Sequence, residues 1–145
     1  MKLHLLLLLV ICAILLDISH AGVTEEQMRS AGKLIRDVCL PKYPKVTVEV
    51  ADAIQVGNIP YGKDSNCYIN CILEMMQSIK KGKFQLDATL KQMEIMLPDS
   101  YKDEYRKGIH LCKDSTVGLK NAPNCDPAQA LLSCLKSNIK VFVFP

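Results

Sequence analysis

Beyond the first twenty residues, apolar side chains recur at three- and four-residue intervals along nearly the whole chain, the period of an amphipathic helix. Thr24-Glu25-Glu26-Gln27 has the form of a capping box, with threonine at the N-cap and glutamine at N3. The helix it opens is expected to carry Met28, Ala31, Leu34, Ile35 and Val38 on one face, with Pro41 and Pro44 stopping it. Thr47 is placed to cap a short second helix over 48–56, ended by Gly57. The alternation in Val46-Thr47-Val48-Glu49-Val50 also suits a strand, but it runs on into Ala51-Asp52-Ala53-Ile54, which favours helix.

A third helix is expected over 65–78, with Ile69, Ile72, Leu73 and Met76 apolar and Lys80-Lys81-Gly82 closing it. A fourth over 86–97 places Leu86, Leu90, Met93 and Leu97 on one stripe and stops at Pro98. Asp99 or Ser100 can cap a fifth over 101–115. Asn121-Ala122-Pro123-Asn124 reads as a loop, after which Asp126 and Pro127 at N1 begin a sixth helix with Ala130, Leu131 and Leu135. The tail, 139–145, is β-branched and aromatic without helical period, and is the one convincing strand-like segment. The expected fold class is all-α, with six helices. There is no internal repeat and no low-complexity tract.

Residues 3–16 are a short, nearly uninterrupted apolar run, preceded by Lys2 and followed by Ser19-His20-Ala21. This is the n-region, h-region and small-x-small pattern of a secretory signal peptide, too short for a comfortable membrane span. Cleavage after Ala21 divides the sequence into a signal, 1–21, and one domain, 22–145, ending in the tail. The net charge of +3 barely changes with that cut. Basic residues are scattered except at Lys80-Lys81-Gly82-Lys83, so nucleic acid is not an expected partner. That lysine cluster reads as a solvated turn, with an anionic membrane or receptor surface as the alternative.

Cys12 leaves with the signal. Cys39, Cys67, Cys71, Cys112, Cys125 and Cys134 remain, an even count that suggests three disulfides in a small secreted protein. Six cysteines allow 15 pairings. One constraint is available: Cys67 and Cys71, at i and i+4 on one helix face, are strained if joined to each other, so each is expected to reach a different partner. Zinc ligation by this pair is disfavoured in an oxidising compartment, and no metal site or cofactor is expected.

The full spacing is Cys39, 27 residues, Cys67, three, Cys71, forty, Cys112, twelve, Cys125, eight, Cys134. With the helical reading and the Cys67-Tyr68-Ile69-Asn70-Cys71 context, it resembles the insect odorant-binding protein family of six-cysteine pheromone and general odorant-binding proteins. By cysteine order the resemblance implies Cys39–Cys71, Cys67–Cys125 and Cys112–Cys134. It also implies an internal apolar cavity and non-covalent carriage of odorants, pheromones or fatty-acid-like molecules through extracellular fluid, the sensillar lymph if the setting is olfactory. An olfactory receptor, a membrane surface or a weak homodimer are the further partners it suggests. Leu90, Met93, Leu97, Tyr101, Tyr105, Leu132 and Leu135 match the family's pocket-lining positions. Val143 and Phe144 match its tail contacts when counted from Cys134.

The residues themselves add to this. Ile69, Leu73 and Met76 supply an apolar face on the third helix, for any one of which ordinary core packing is the favoured explanation from the residues alone. Met28, Met75, Met76, Met93 and Met96 suit a pocket that adapts to several ligands. The hydroxyls of Tyr101 and Tyr105 are candidates to orient a ligand oxygen. Val141, Phe142, Val143 and Phe144 must be buried somewhere, with Phe142, Val143 and Phe144 the expected ligand contacts. His110 invites comparison with the His-Asp pair of small secreted phospholipases. Here the order is His110-Leu111-Cys112-Lys113-Asp114, with the aspartate displaced and no glycine-rich calcium loop, so no enzyme is expected. The competing reading is a secreted structural or interaction protein with a filled core, and a cavity above about 300 Å³ separates the two.

Overall fold

The computed structural model describes residues 22–145; the signal segment lies outside them. Six helices follow one another: α1 (Glu25–Cys39), α2 (Val48–Gln55), α3 (Lys63–Met75), α4 (Leu86–Met96), α5 (Asp99–Leu111) and α6 (Asp126–Asn138), with a short 3₁₀ turn at Leu40–Lys42. The capping box forms at α1: Thr24 Oγ1 accepts from the Gln27 N–H at 3.2 Å and Gln27 Oε1 from the Thr24 N–H at 2.9 Å. The buried residues of α1 are Met28, Gly32 and Cys39, and Ile35 packs against the core, so the expected stripe holds only in part. Leu34 is 69 % exposed and Val38 faces out as well. Cys39 is bonded to Cys71 on α3, and that tie sets which face turns inward.

Val48–Val50 are helical, with Thr47 as the extended N-cap and Val46 in the bend before it. Thr47 Oγ1 accepts from the Val50 N–H, and Ala51 and Ile54 are fully buried one turn apart. Helix α3 is the centre of the core, burying Asn66, Tyr68, Ile69, Cys71, Ile72 and Leu73. It ends at Met75, three residues before the expected end. A two-stranded hairpin that the pattern did not announce follows it, β1 (Ile79–Lys80) antiparallel to β2 (Lys83–Phe84), with Ile79 opposite Phe84. Two residues per strand carry no readable alternation. The turn signal was Lys81-Gly82, at φ 51° and 69°, the conformation of a type I′ hairpin turn. A side chain in place of Gly82 would also put its Cβ 2.7 Å from the Lys120 carbonyl oxygen.

The fifth helix stops at Leu111 and a run of turns follows it, shorter than the expected end at 115. Pro127 sits one residue deeper in α6 than expected, since Cys125 is the N-cap. The tail is irregular rather than a strand.

The disulfides are Cys39–Cys71, Cys67–Cys125 and Cys112–Cys134, as the resemblance implied. They join α1 to α3, α3 to the start of α6, and the end of α5 to α6. A buried polar tie reinforces the second: the fully buried Asn66 donates to Asp126 Oδ1 at 3.3 Å, and the Tyr61 hydroxyl donates to the same oxygen at 3.1 Å. Among the described residues no helix is long and apolar enough to cross a membrane.

Candidate functional site

Behind the α3–α6 core lies a cavity of about 110 Å³. Its wall takes Met28 and Gly32 from α1, Leu73 from α3, Met76 and Ser78 from the turn after it, Thr89, Met93 and Met96 from α4 with Leu97 just beyond, Tyr105 and Ile109 from α5, and Leu132 and Leu135 from α6. Phe142, Val143, Phe144 and Pro145 complete it, and Arg29, Gln55 and Gln92 add polar groups. The space falls short of the ~300 Å³ and upward usual for sites that take drug-sized ligands.

Ten of the thirteen expected contacts border this cavity. Three do not. Ile69 is fully buried inside the α3 core. Leu90 is half-buried outside the wall, because α4 is turned so that Thr89, Met93 and Met96 face the space instead. Tyr101 stands at the start of α5, its ring edge-on to Tyr105 with centroids 6.4 Å apart. Its hydroxyl donates to Glu25 Oε1 at 2.8 Å, and that bond to a carboxylate raises its pKa. Four of the five methionines, Met28, Met76, Met93 and Met96, line the wall; Met75 is partly exposed, with its Sδ 3.5 Å from Cys39 Sγ.

Tyr105 does something other than await a ligand oxygen. Its hydroxyl donates to the Val143 carbonyl at 3.0 Å and accepts from the Val143 N–H at 2.6 Å, so one phenol satisfies both backbone groups of a tail residue. Burial pushes its pKa up to about 12. The Lys140 N–H donates to Glu104 Oε1. At the root of the tail Gly108 leaves no room for a side chain, since a Cβ there would lie 2.6 Å from Ile139 Cγ1. At its end Pro145 packs on Gly32 of α1. Phe142 and Phe144 stack at 6.4 Å, with Lys136 Nζ 5.5 Å from the Phe142 ring, and Phe144 is buried in the main core. Val141, expected to be buried, is 53 % exposed. Ile139 and Phe142 turn inward on either side of it, and Val141 projects outward with Lys140.

Hydropathy could not have found Ser78, Thr89, Gln92 or Gln55, which are polar. Met28 and Met96 were visible as methionines but not as wall residues. His110 is exposed at the end of α5, and among the described residues no group of three metal-binding side chains occurs.

A family model for the PBP/GOBP family matches residues 21–138. The chain belongs to this family. It is 80 % identical over 146 aligned residues to general odorant-binding protein 19a of Drosophila melanogaster, with both sequences covered in full. It is 41 % identical to general odorant-binding protein 72 of Anopheles gambiae, over 86 % of this chain and all of that one. Among solved structures, odorant binding protein 4 of Chrysopa pallens aligns with a TM-score of 0.73 at 38 % identity, covering 85 % of this chain and 99 % of that one. Odorant binding protein 5 of Apis mellifera aligns at 0.72 and 26 % identity, covering 86 % and 100 %. The six-helix, three-disulfide architecture is thus the family's.

Proposed function

We propose that this protein is a secreted carrier that takes up small hydrophobic molecules in the cavity beneath its tail and carries them through extracellular fluid. The observation that carries this reading is the tail itself: an apolar segment held by Tyr105 and Glu104 as a wall of a methionine-lined cavity. Membership of a family whose relatives are named odorant-binding supports it. So does the apolar run at 3–16, read as a secretory signal cleaved after Ala21.

The driving force is partition. An apolar ligand gains about 25 cal/mol for each Å² removed from water. An empty space of about 110 Å³ requires side chains to move before such a ligand fits. Methionine, unbranched and polarizable, is the residue for which that movement is easiest. Ile109, Leu132 and Leu135 keep the rest of the wall apolar. No covalent step belongs to this mechanism: the cysteines are oxidised and His110 stands at the surface.

The small volume favours one other reading, a secreted structural or interaction protein with a filled core. Native mass spectrometry and displacement of a fluorescent naphthylamine probe across alcohols, aldehydes, esters and fatty acids separate the two. A carrier retains one ligand per molecule, unchanged. Failure to bind the probe and every ligand class favours the filled core, and turnover of an ester would mean an enzyme.

A further inference from the structure

The hairpin between α3 and α4 gathers positive charge that the carrier function leaves unused. Lys80 and Lys83 face each other across it as directly paired positions of β1 and β2. Both are exposed, while Ile79 is 2 % exposed and Phe84 packs against the core. The hairpin thus turns its apolar residues inward and its lysines outward. Lys81 stands exposed at the turn between them. A fourth exposed lysine arrives from a distant part of the chain: Gly82 lies against the backbone of Lys120.

Two local preferences are broken to build this tip. Like charges directly opposite on a strand pair destabilise it. The first turn position, at φ 51°, is one that asparagine, aspartate or glycine fills with least strain, and here it is a lysine. Nothing nearby neutralises the charge. The sequence holds no carboxylate between Glu74 and Asp87 or between Asp114 and Asp126. Among the described residues none of the four lysines forms an ion pair, whereas Lys33, Lys45 and Lys102 each have an acidic partner. The tip is also fixed in place. The Phe84 N–H donates to Thr116 Oγ1 at 3.2 Å, the Gln85 N–H to the Ser78 carbonyl at 2.9 Å, and the Gln85 side-chain amide to the Lys83 carbonyl at 3.0 Å. Unpaired ammonium groups held together against local preference mark a surface that meets an anion.

The class of anion follows from the form of the tip. All four groups are lysines, compact hydrated point charges, where a discrete carboxylate or phosphate is best gripped by the planar fork of arginine. A protein partner meets an apolar centre with a polar rim, but here Ile79 and Phe84 face inward. Anionic lipids are concentrated in the cytoplasmic leaflet, which a secreted chain does not meet. A flexible polymer of closely spaced fixed charges needs neither groove nor apolar contact. We propose that the Lys80–Lys83 hairpin, with Lys120, is a docking site for a sulfated polysaccharide of the extracellular space. None of residues 79–85 or 113–120 borders the cavity, so the site is separate from it and goes beyond the carrier function. It would hold the protein near a charged matrix whether or not the cavity is filled.

The test is fluorescence polarization of a labelled heparin oligosaccharide, the probe, with residues 22–145 at low ionic strength. The native protein is expected to bind and to release the probe as salt rises. Lys80, Lys81, Lys83 and Lys120 are changed together to Gln, and compared with a variant in which the exposed, scattered Lys33, Lys45, Lys91 and Lys107 are changed to Gln. Neutralising one exposed ion pair weakens binding about 1.4- to 5-fold, so the hairpin variant is expected to lose about 4-fold or more and the scattered variant clearly less. Lys81→Asn separates charge from folding: it suits the turn better, so it is expected to weaken heparin binding without lowering the melting temperature. No heparin binding by the native protein, or equal losses in the two four-lysine variants, overturns the site. Tighter hairpin-dependent binding to poly-glutamate, or to vesicles containing phosphatidylserine, also overturns it and assigns the hairpin to an acidic protein or a membrane instead. Each of these outcomes leaves the carrier function standing.

Discussion

Helix α3 is tied covalently at two points, through Cys39–Cys71 and Cys67–Cys125. Helix α4 and the tail have no tie other than the backbone and their contacts. The α3 side is packed with β-branched, aromatic and leucine side chains that leave little freedom: Ile54, Tyr68, Ile69, Ile72 and Leu131 are fully buried. The α4 side carries Met93 and Met96, and the tail is held by packing of Ile139 and Phe144 and by hydrogen bonds to one phenol and one carboxylate. The difference separates two tasks. A small domain that leaves internal space loses dispersion contacts along the walls of that space. Covalent ties on one side offset the loss, so the other side can stay adaptable.

The largest expected effect comes from the rigid side. Replacing both Cys67 and Cys125 by serine opens a bridge whose ends are 58 residues apart in sequence. The chain-entropy account gives a loss of about 4 kcal/mol for a loop of that size, measured by urea unfolding. A loss well below this would mean that Asn66 and Asp126 hold the joint without the bridge. In the intact protein, thiol titration under denaturing, non-reducing conditions is expected to read near zero.

A charge on the adaptable side comes next. Met93→Arg places a guanidinium where the native residue is 5 % exposed. Desolvating it without a partner costs several kcal/mol, so probe binding is expected to vanish while the disulfides keep the fold. Leu90→Asp is the sharper control: Leu90 stands outside the wall, so this variant keeps its affinity. Loss of binding in both would mean that α4 turns on ligand uptake.

Removing residues 141–145 takes away four wall residues and the latch to Tyr105. Affinity is expected to fall by roughly 1–3 kcal/mol, about 5- to 150-fold, mostly through faster dissociation. Helicity by circular dichroism should not change, because the tail contributes none. Equal dissociation rates in two monomeric proteins would remove the tail from the binding site.

The smallest effect is a pH dependence. Tyr105 has its pKa raised by burial from 10.0 to about 12. The folded protein therefore keeps this phenol neutral where the unfolded state ionises it. The stability this contributes is complete below about pH 10 and is lost as the pH rises toward 12. Burial raises Tyr43 and Tyr68 as well, so the informative quantity is the difference between the native protein and Tyr105→Phe. Tyr105→Phe should have the shallower alkaline loss, and faster amide exchange at Val143 at neutral pH, since its latch is gone.

Local signals in the sequence determined the helices and several of their ends: Thr24 with Gln27 for α1, Thr47 for α2, and the apolar spacing for all six. Cysteine spacing, through family resemblance, carried the pairing that physics alone left among 15 possibilities. These features act over one or two turns, or are countable along the sequence. Only the tertiary structure decided which face of a helix turned inward. Leu34 and Val38 look outward because Cys39 is bonded to Cys71, and Leu90 yields its place to Thr89 because of how α4 is turned. Only the fold, too, brought the Tyr105 hydroxyl to Val143, 38 residues away, and set the polar residues Ser78 and Thr89 beside the cavity. Such pairings depend on how helices rotate and meet, which the period of apolar residues constrains to a broad stripe but not to a single face.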